Sequence, residues 1–116
     1  MTLQVESNKS APAVSRSHLT WMRSELGTRF DDVLLVVSEL VSNSVRHSQS
    51  RDIDVKVEAL DGHIRVEVSD DGPGFSPNQP RGEGLGLGIV EKLAERWGLS
   101  AGDRFTVWAE LARAPG

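Results

Sequence analysis

The sequence predicts an α+β domain in which helices cover one face of a mixed, mainly antiparallel sheet. Two kinds of pattern carry this. Apolar residues alternate with polar ones in Thr2–Glu6, Ile53–Ala59, Ile64–Val68 and Phe105–Leu111, the period of half-buried strands. Apolar residues at helical spacing fill three other stretches, beginning near Pro12, Asp31 and Leu87. Strands outside a strand–helix–strand repeat favour helices gathered on one side of an antiparallel sheet.

The elements follow in order. Leu3 and Val5 mark a short first strand, and Ser7–Ala11 is a polar loop. Ser10 is positioned as an N-cap and Pro12 suits a first helical turn. Val14, His18, Trp21, Met22 and Leu26 then recur at helical spacing, and Gly27 is the stop. Asp31 or Asp32 caps the next helix. Its residues Val33, Leu34, Val36, Val37, Leu40, Val41 and Val45 wrap most of the circumference, so it should be largely buried. Asp61-Gly62 is a hairpin turn pair between two alternating strands. Leu87, Val90, Leu93, Ala94 and Trp97 predict a third helix ending at Gly98, before the closing strand Phe105–Leu111 and a frayed tail, Ala112–Gly116.

Composition narrows the function. The 116 residues suit a single domain, 1–116, and 38% hydrophobic with 26% charged residues is ordinary globular usage. A net charge of −4 argues against direct nucleic-acid binding, which draws on neutralised phosphates. There is no cysteine, which excludes thiol chemistry, disulfides and cysteine-held metals. His18, His47 and His63 share no ligand-like spacing. No apolar run is long enough to span a membrane, and MTLQVESNKS lacks the apolar core of a signal peptide. A cytoplasmic location with no membrane partner is the expectation.

Three polar or glycine-rich clusters stand out. Glu39, Asn43 and His47, four residues apart, form one stripe on the buried helix. Buried polar groups need partners, and Mg²⁺ with phosphate would supply them; a solvated stripe is the alternative. Asp70-Asp71-Gly72-Pro73-Gly74-Phe75 follows a strand, where an Asp can accept from an exocyclic amine; an ordinary turn is the alternative. Gly82-Glu83-Gly84-Leu85-Gly86-Leu87-Gly88 opens a helix and can present backbone amides to phosphate. A flexible linker is the alternative, although a linker would not need Leu85 and Leu87. No Gly-Lys-Ser/Thr follows, and no strand–helix–strand dinucleotide unit frames it.

Taken in order, Glu39-x-x-x-Asn43, Asp70-x-Gly72-x-Gly74 and Gly84-x-Gly86-x-Gly88 resemble the motifs of Bergerat-fold ATPases. These include the gyrases, heat-shock chaperones, histidine kinases and mismatch-repair proteins. The chain is most similar to bacterial anti-sigma-factor serine kinases. ELVSNSVRH, DDGPGF, GEGLGLGIV and Thr106-Val107-Trp108 carry the likeness over nearly the whole length. The resemblance implies a two-layer sandwich that binds ATP and Mg²⁺. Asn43 would ligate the metal, and Glu39 would be the general base toward a partner's serine. Asp70 would hold the adenine amine with Thr106 in support, and Gly72 and Gly74 would shape the pocket. Gly84, Leu85, Gly86, Leu87 and Gly88 would line the phosphates, with Arg46 and His47 at the nucleotide's edge. Arg16 falls on the family's partner face, although a solvated arginine is the commoner reading of such a residue. The implied partners are a sigma factor and an anti-anti-sigma protein, with a homodimer as a further expectation.

Two departures shape the alternatives. Ser76–Arg81 is short for the family's lid, and Arg81 is its one basic residue. GEGLGLG reads more like histidine kinase wording. A sigma-sequestering module with little catalysis, a histidine-kinase-type ATPase domain, and a nucleotide-free interaction domain therefore stand beside the serine kinase.

Overall fold

A computed structural model describes residues 1–47, 50–72 and 87–113. The described strands form one sheet: β1 (Thr2–Glu6), β2 (Asp52–Leu60), β3 (His63–Asp70), β4 (Arg96–Ala101) and β5 (Phe105–Ala112). Their spatial order is β1-β2-β3-β5-β4. Every pairing among them is antiparallel. The helices are α1 (Ala11–His18), α2 (Arg23–Leu26), α3 (Phe30–His47) and α4 (Leu87–Leu93). Among the described residues no helix is long and apolar enough to cross a membrane.

Burial follows the period of each element. Val55, Val57, Ile64, Val66, Ala109 and Leu111 are fully buried on one face of the sheet, against Val33, Val36, Val37 and Val41 of α3. α3 thus forms the central rib of the helical layer. Asp31 and Asp32 lie inside its first turn rather than at its cap, since the helix begins at Phe30. There they complement the helix dipole.

The helix expected from Pro12 to Leu26 is interrupted. α1 ends at His18, and short 3-10 turns at Thr20–Met22 and Gly27–Arg29 flank α2. The buried positions are Ala11, Ser15, Leu19, Met22 and Leu26, whereas Val14 and Trp21 are exposed. Tightening at Thr20–Met22 keeps Leu19 and Met22 on the core side, and Trp21 is turned outward. Ser10 occupies the N-cap position without a side-chain cap. Instead its N–H donates to Asn8 Oδ1 at 2.8 Å. Gly27 does end α2, with φ of +58°.

The largest correction concerns Leu87–Trp97. The helix stops at Leu93, and Arg96–Ala101 is an edge strand. Trp97 and Leu99 pair with Ala109 and Val107 and pack on the core side. Trp97 satisfies a helical and a strand period equally, so spacing alone misassigned it. Gly98 does not end a helix: it faces Trp108, whose Cζ2 would lie 2.8 Å from an added Cβ. The tail is also tied down further than expected. Ala112 belongs to β5, and Arg113 N–H donates to the Gly62 carbonyl at 3.0 Å.

The other face of the sheet carries a charged network. Glu110 is buried and accepts from Arg65 at 2.8 Å and from Arg96, with His63 Nε2 3.7 Å away. The Arg65 hydrogen bond holds the Glu110 carboxyl below the ordinary carboxylate range, against the opposing effect of burial, and Arg96 adds to it. Arg65 also bonds Glu67 and lies 4.5 Å over the Trp108 ring.

Candidate functional site

The polar stripe of α3 meets the end of β3. Asn43 is 1% exposed, while Glu39 and His47 are half-buried. Asn43 Oδ1 accepts from Arg46 at 2.9 Å. Its Nδ2 is buried and has no hydrogen-bond partner among the described residues. A buried amide donor left unpaired costs about 1–3 kcal/mol, so it marks a place where an acceptor is wanted.

Asp70 closes β3 on the helix-facing side of the sheet and is 4% exposed. Ser44, next to Asn43 on α3, donates its hydroxyl to Asp70 Oδ2. Gly72 N–H donates to Oδ1 at 2.8 Å. Each carboxylate oxygen retains a lone pair for a further donor. The Ser44–Asp70 bond therefore joins the stripe and the glycine motif into one locus. Sequence spacing missed Ser44, since its partner lies on another element.

The backbone leaving β3 is held from two directions. Asp71 N–H donates to Ser50 Oγ at 3.2 Å. Arg104, before β5, bonds Asp54 and places Nε 3.3 Å from Asp71 Oδ1. It also reaches the Ser69 carbonyl at 3.4 Å. Nothing in the sequence pattern singles out Arg104, whose partners are on β2, on β3 and at Asp71 just past it.

Thr106 does not reach Asp70. Its register partner is Ser69, whose hydroxyl lies 2.7 Å from its own, while Asp70 pairs with Phe105. Side chains alternate along a strand, so Thr106 and Asp70 are on opposite faces of the sheet. Leu87 is 1% exposed and belongs to the core. Its side chain packs, and only its backbone is left for a ligand. Gly88 lies in the first turn of α4, and an added Cβ there would meet nothing within 4 Å. Arg16 is exposed and donates to Ser38 Oγ at 2.9 Å on α3. Gly74, Arg81, Gly84, Leu85 and Gly86 lie outside the described residues.

The donor set suits a hard cation held partly by its ligand. Asn43 offers its carboxamide oxygen, one helical turn from the Glu39 carboxylate. Among the described residues no group of three or more His, Cys, Asp or Glu gathers to hold a metal. A Mg²⁺ ion fits such a site because it takes one or two protein oxygens and completes its shell with phosphate and water. Arg46 is exposed, so its guanidinium can leave Asn43 Oδ1 for a cation.

The chain is 32% identical over 82 residues to the sensor protein kinase CarS of Pseudomonas aeruginosa, covering 59% of this chain and 18% of that protein. It is 26% identical over 90 residues to the sensor histidine kinase GraS of Staphylococcus haemolyticus, covering 63% and 26%. The chain thus spans about a quarter or less of these curated relatives. Among solved structures, the RsbU and RsbW domains of Rv1364c from Mycobacterium tuberculosis superpose with a TM-score of 0.67 at 20% identity. That match covers 97% of this chain and 32% of the other. The catalytic domain of histidine kinase ThkA gives 0.61 at 14% identity, covering 100% and 99%. These likenesses show the shared fold: helices on a five-stranded antiparallel sheet. A family model described as histidine kinase-, DNA gyrase B- and HSP90-like ATPase matches residues 28–113. That segment contains α3, the Ser44–Asp70 junction and the closing strand, and the chain belongs to this ATPase family.

Proposed function

We propose that the domain binds Mg²⁺-ATP and transfers the terminal phosphoryl group to a serine of a protein partner, as an anti-sigma factor that switches partners. The observation that carries the nucleotide site is the buried junction of Asn43, Ser44 and Asp70, with one unpartnered donor. ATP, when bound with Mg²⁺, would supply the phosphoryl group, with ADP as the leaving group as the bond to serine forms. Asp70 accepts the exocyclic amine of adenine, oriented by Ser44 and Gly72. Gly72 and Gly74 shape that pocket. Asn43 would hold the metal through its carboxamide oxygen, and its unpartnered Nδ2 would be left to donate to a phosphate oxygen. Glu39 holds the proton of the incoming hydroxyl as general base. Backbone amides of Gly84, Leu85, Gly86, Leu87 and Gly88 would hold the phosphates, with Arg46, His47 and Arg81 as their basic border. Arg16 faces the partner. The serine assignment rests on the resemblance of SNSVRH to anti-sigma kinases, alongside the fold shared with an RsbW domain.

A second reading is the ATP-binding domain of a histidine kinase. The sensor kinases among its relatives and the GEGLGLG wording favour it. Calorimetric titration with ATP and ADP, with and without Mg²⁺, tests the site common to both. Saturable Mg²⁺-dependent binding, weakened at least about tenfold in Asp70→Asn, is expected from the loss of a charged hydrogen bond. No binding at millimolar nucleotide sinks both readings. Transfer from labelled ATP to an anti-anti-sigma protein separates them: label that survives acid is phosphoserine, and acid-labile label is phosphohistidine.

A further inference from the structure

The segment between β4 and β5 ends at Arg104, whose carbonyl accepts from Gly102 N–H at 3.1 Å. The next residue, Phe105, is the register partner of Asp70 and packs against the core. On the outer face, Thr106, Ser69 and Asp54 form a row across β5, β3 and β2, since their strand neighbours point inward. The Arg104 guanidinium crosses that row. Nη1 pairs with Asp54 on β2, Nη2 reaches the Ser69 carbonyl at 3.4 Å, and Nε lies 3.3 Å from Asp71 Oδ1 as an ion pair.

The two carboxylates that Arg104 joins are held unequally. The Asp54 side chain is 33% exposed and also accepts from Gln4 at 3.1 Å, so it is the fixed end. The Asp71 side chain is 69% exposed, so it is the end that Arg104 restrains. Asp71 links Asp70 to Gly72, and Gly72 N–H closes back on Asp70 Oδ1 at 2.8 Å. That bond forms only while the chain turns at Asp71. Without the guanidinium, Asp54 and Asp71 would repel each other, and an outward swing of Asp71 would draw Gly72 off the carboxylate.

We propose that Arg104 is a positioning residue for Asp70. From the outer face of the sheet it fixes the turn at Asp71, which brings Gly72 N–H to the Asp70 carboxylate and so sets the aim of that carboxylate at the adenine amine. The proposal rests on the reading of Asp70 as the adenine acceptor. Arg104 acts from behind the site: Asp70 faces the helices, where Ser44 holds its other oxygen, and the guanidinium lies across the opposite face. A carboxylate aimed from both faces loses less freedom when adenine binds, and that saving appears as affinity. The planar fork suits this task, because it can hold two carboxylates and a carbonyl at once.

Amide exchange of the nucleotide-free full chain, followed by NMR, tests it together with calorimetric ATP titration. In Arg104→Met the Gly72 amide should exchange at least about tenfold faster, while the Val66 and Val68 amides of β3 keep their protection. ATP affinity should fall about three- to tenfold. In an Asp70→Asn background the same change should alter affinity less than about twofold, because a residue that acts through Asp70 has nothing left to position. Circular dichroism checks that each variant is folded. If Arg104→Met fails to fold, Arg104→Lys decides: its single ammonium cannot hold both carboxylates and should give the same changes. Unchanged Gly72 exchange overturns the proposal, even where the parent binds ATP. So does an equal loss of affinity in both backgrounds, which would mark a general structural role. A parent that binds no ATP overturns the nucleotide reading itself, and the proposal falls with it.

Discussion

Asp70 is buried, yet each of its oxygens already has a donor, from Ser44 and Gly72. A carboxylate held in this way is oriented before any ligand arrives, which lowers the ordering cost of binding. Ser44→Ala should therefore do two things. It removes a hydrogen bond to a charged group, so urea denaturation should show a loss of about 1.5–3 kcal/mol. It also frees the carboxylate, so adenine nucleotide affinity should fall by calorimetry; unchanged affinity would show that Ser44 does not orient Asp70. Asn43 should behave oppositely. Its Nδ2 has no partner among the described residues and its Oδ1 accepts from the exposed Arg46, so removing the side chain gives up little folded-state bonding. Asn43→Ala should change stability by less than about 1 kcal/mol while Mg²⁺-dependent affinity drops at least about tenfold. A variant that binds Mg²⁺-ATP like the parent removes Asn43 from the site. Glu39→Ala should keep nucleotide binding and lose transfer to the serine. Retained transfer rules Glu39 out as the base.

Among the elements, β4 shows where spacing and packing part company. Leu87, Val90, Leu93, Ala94 and Trp97 satisfy a helical period, but Trp97 and Leu99 also satisfy the period of a strand. The strand wins because β5 offers a complete ladder, and Gly98 leaves room for the Trp108 ring, which a Cβ would crowd. Gly98→Ala would bring a Cβ to 2.8 Å from Trp108 Cζ2 and 3.0 Å from Nε1. The indole must shift, and its contact with Arg65 shifts with it. Thermal melting should show a loss of about 1–3 kcal/mol, together with a changed tryptophan emission. An unchanged melt would mean that the ring rearranges freely.

For the whole molecule, the buried charge on the outer face of the sheet couples folding to pH. The folded-state pKa of Glu110 lies below its ordinary value of 4.5, first through the Arg65 hydrogen bond. The unfolded chain therefore takes up this proton at a higher pH than the folded one. The resulting stability is fully present above about pH 4.5 and disappears as pH falls through the folded-state pKa. Denaturant melts of Glu110→Gln should show a deficit at pH 7 that shrinks on acidification below this range. A deficit independent of pH would assign the cost to packing rather than to ionisation. Glu110 joins β5 to β3 through Arg65 and to β4 through Arg96, so acid should loosen this side of the sheet.

The fold class, the hairpin at Asp61-Gly62, the buried helix α3 and the order of the three motifs were legible in the sequence. They rest on local periodicity and turn chemistry, which neighbouring residues set among themselves. Tertiary structure decided the rest. It turned Arg96–Ala101 into a strand because β5 was there to pair with it. It interrupted the first helix so that both Leu19 and Met22 reach the core. It put Thr106 on the face away from Asp70, because strand register fixes the side on which a residue emerges. It supplied Ser44 and Arg104 to the β3 terminus from elements distant in the chain. Such contacts leave no trace in residue spacing, since they depend on which segments meet in space.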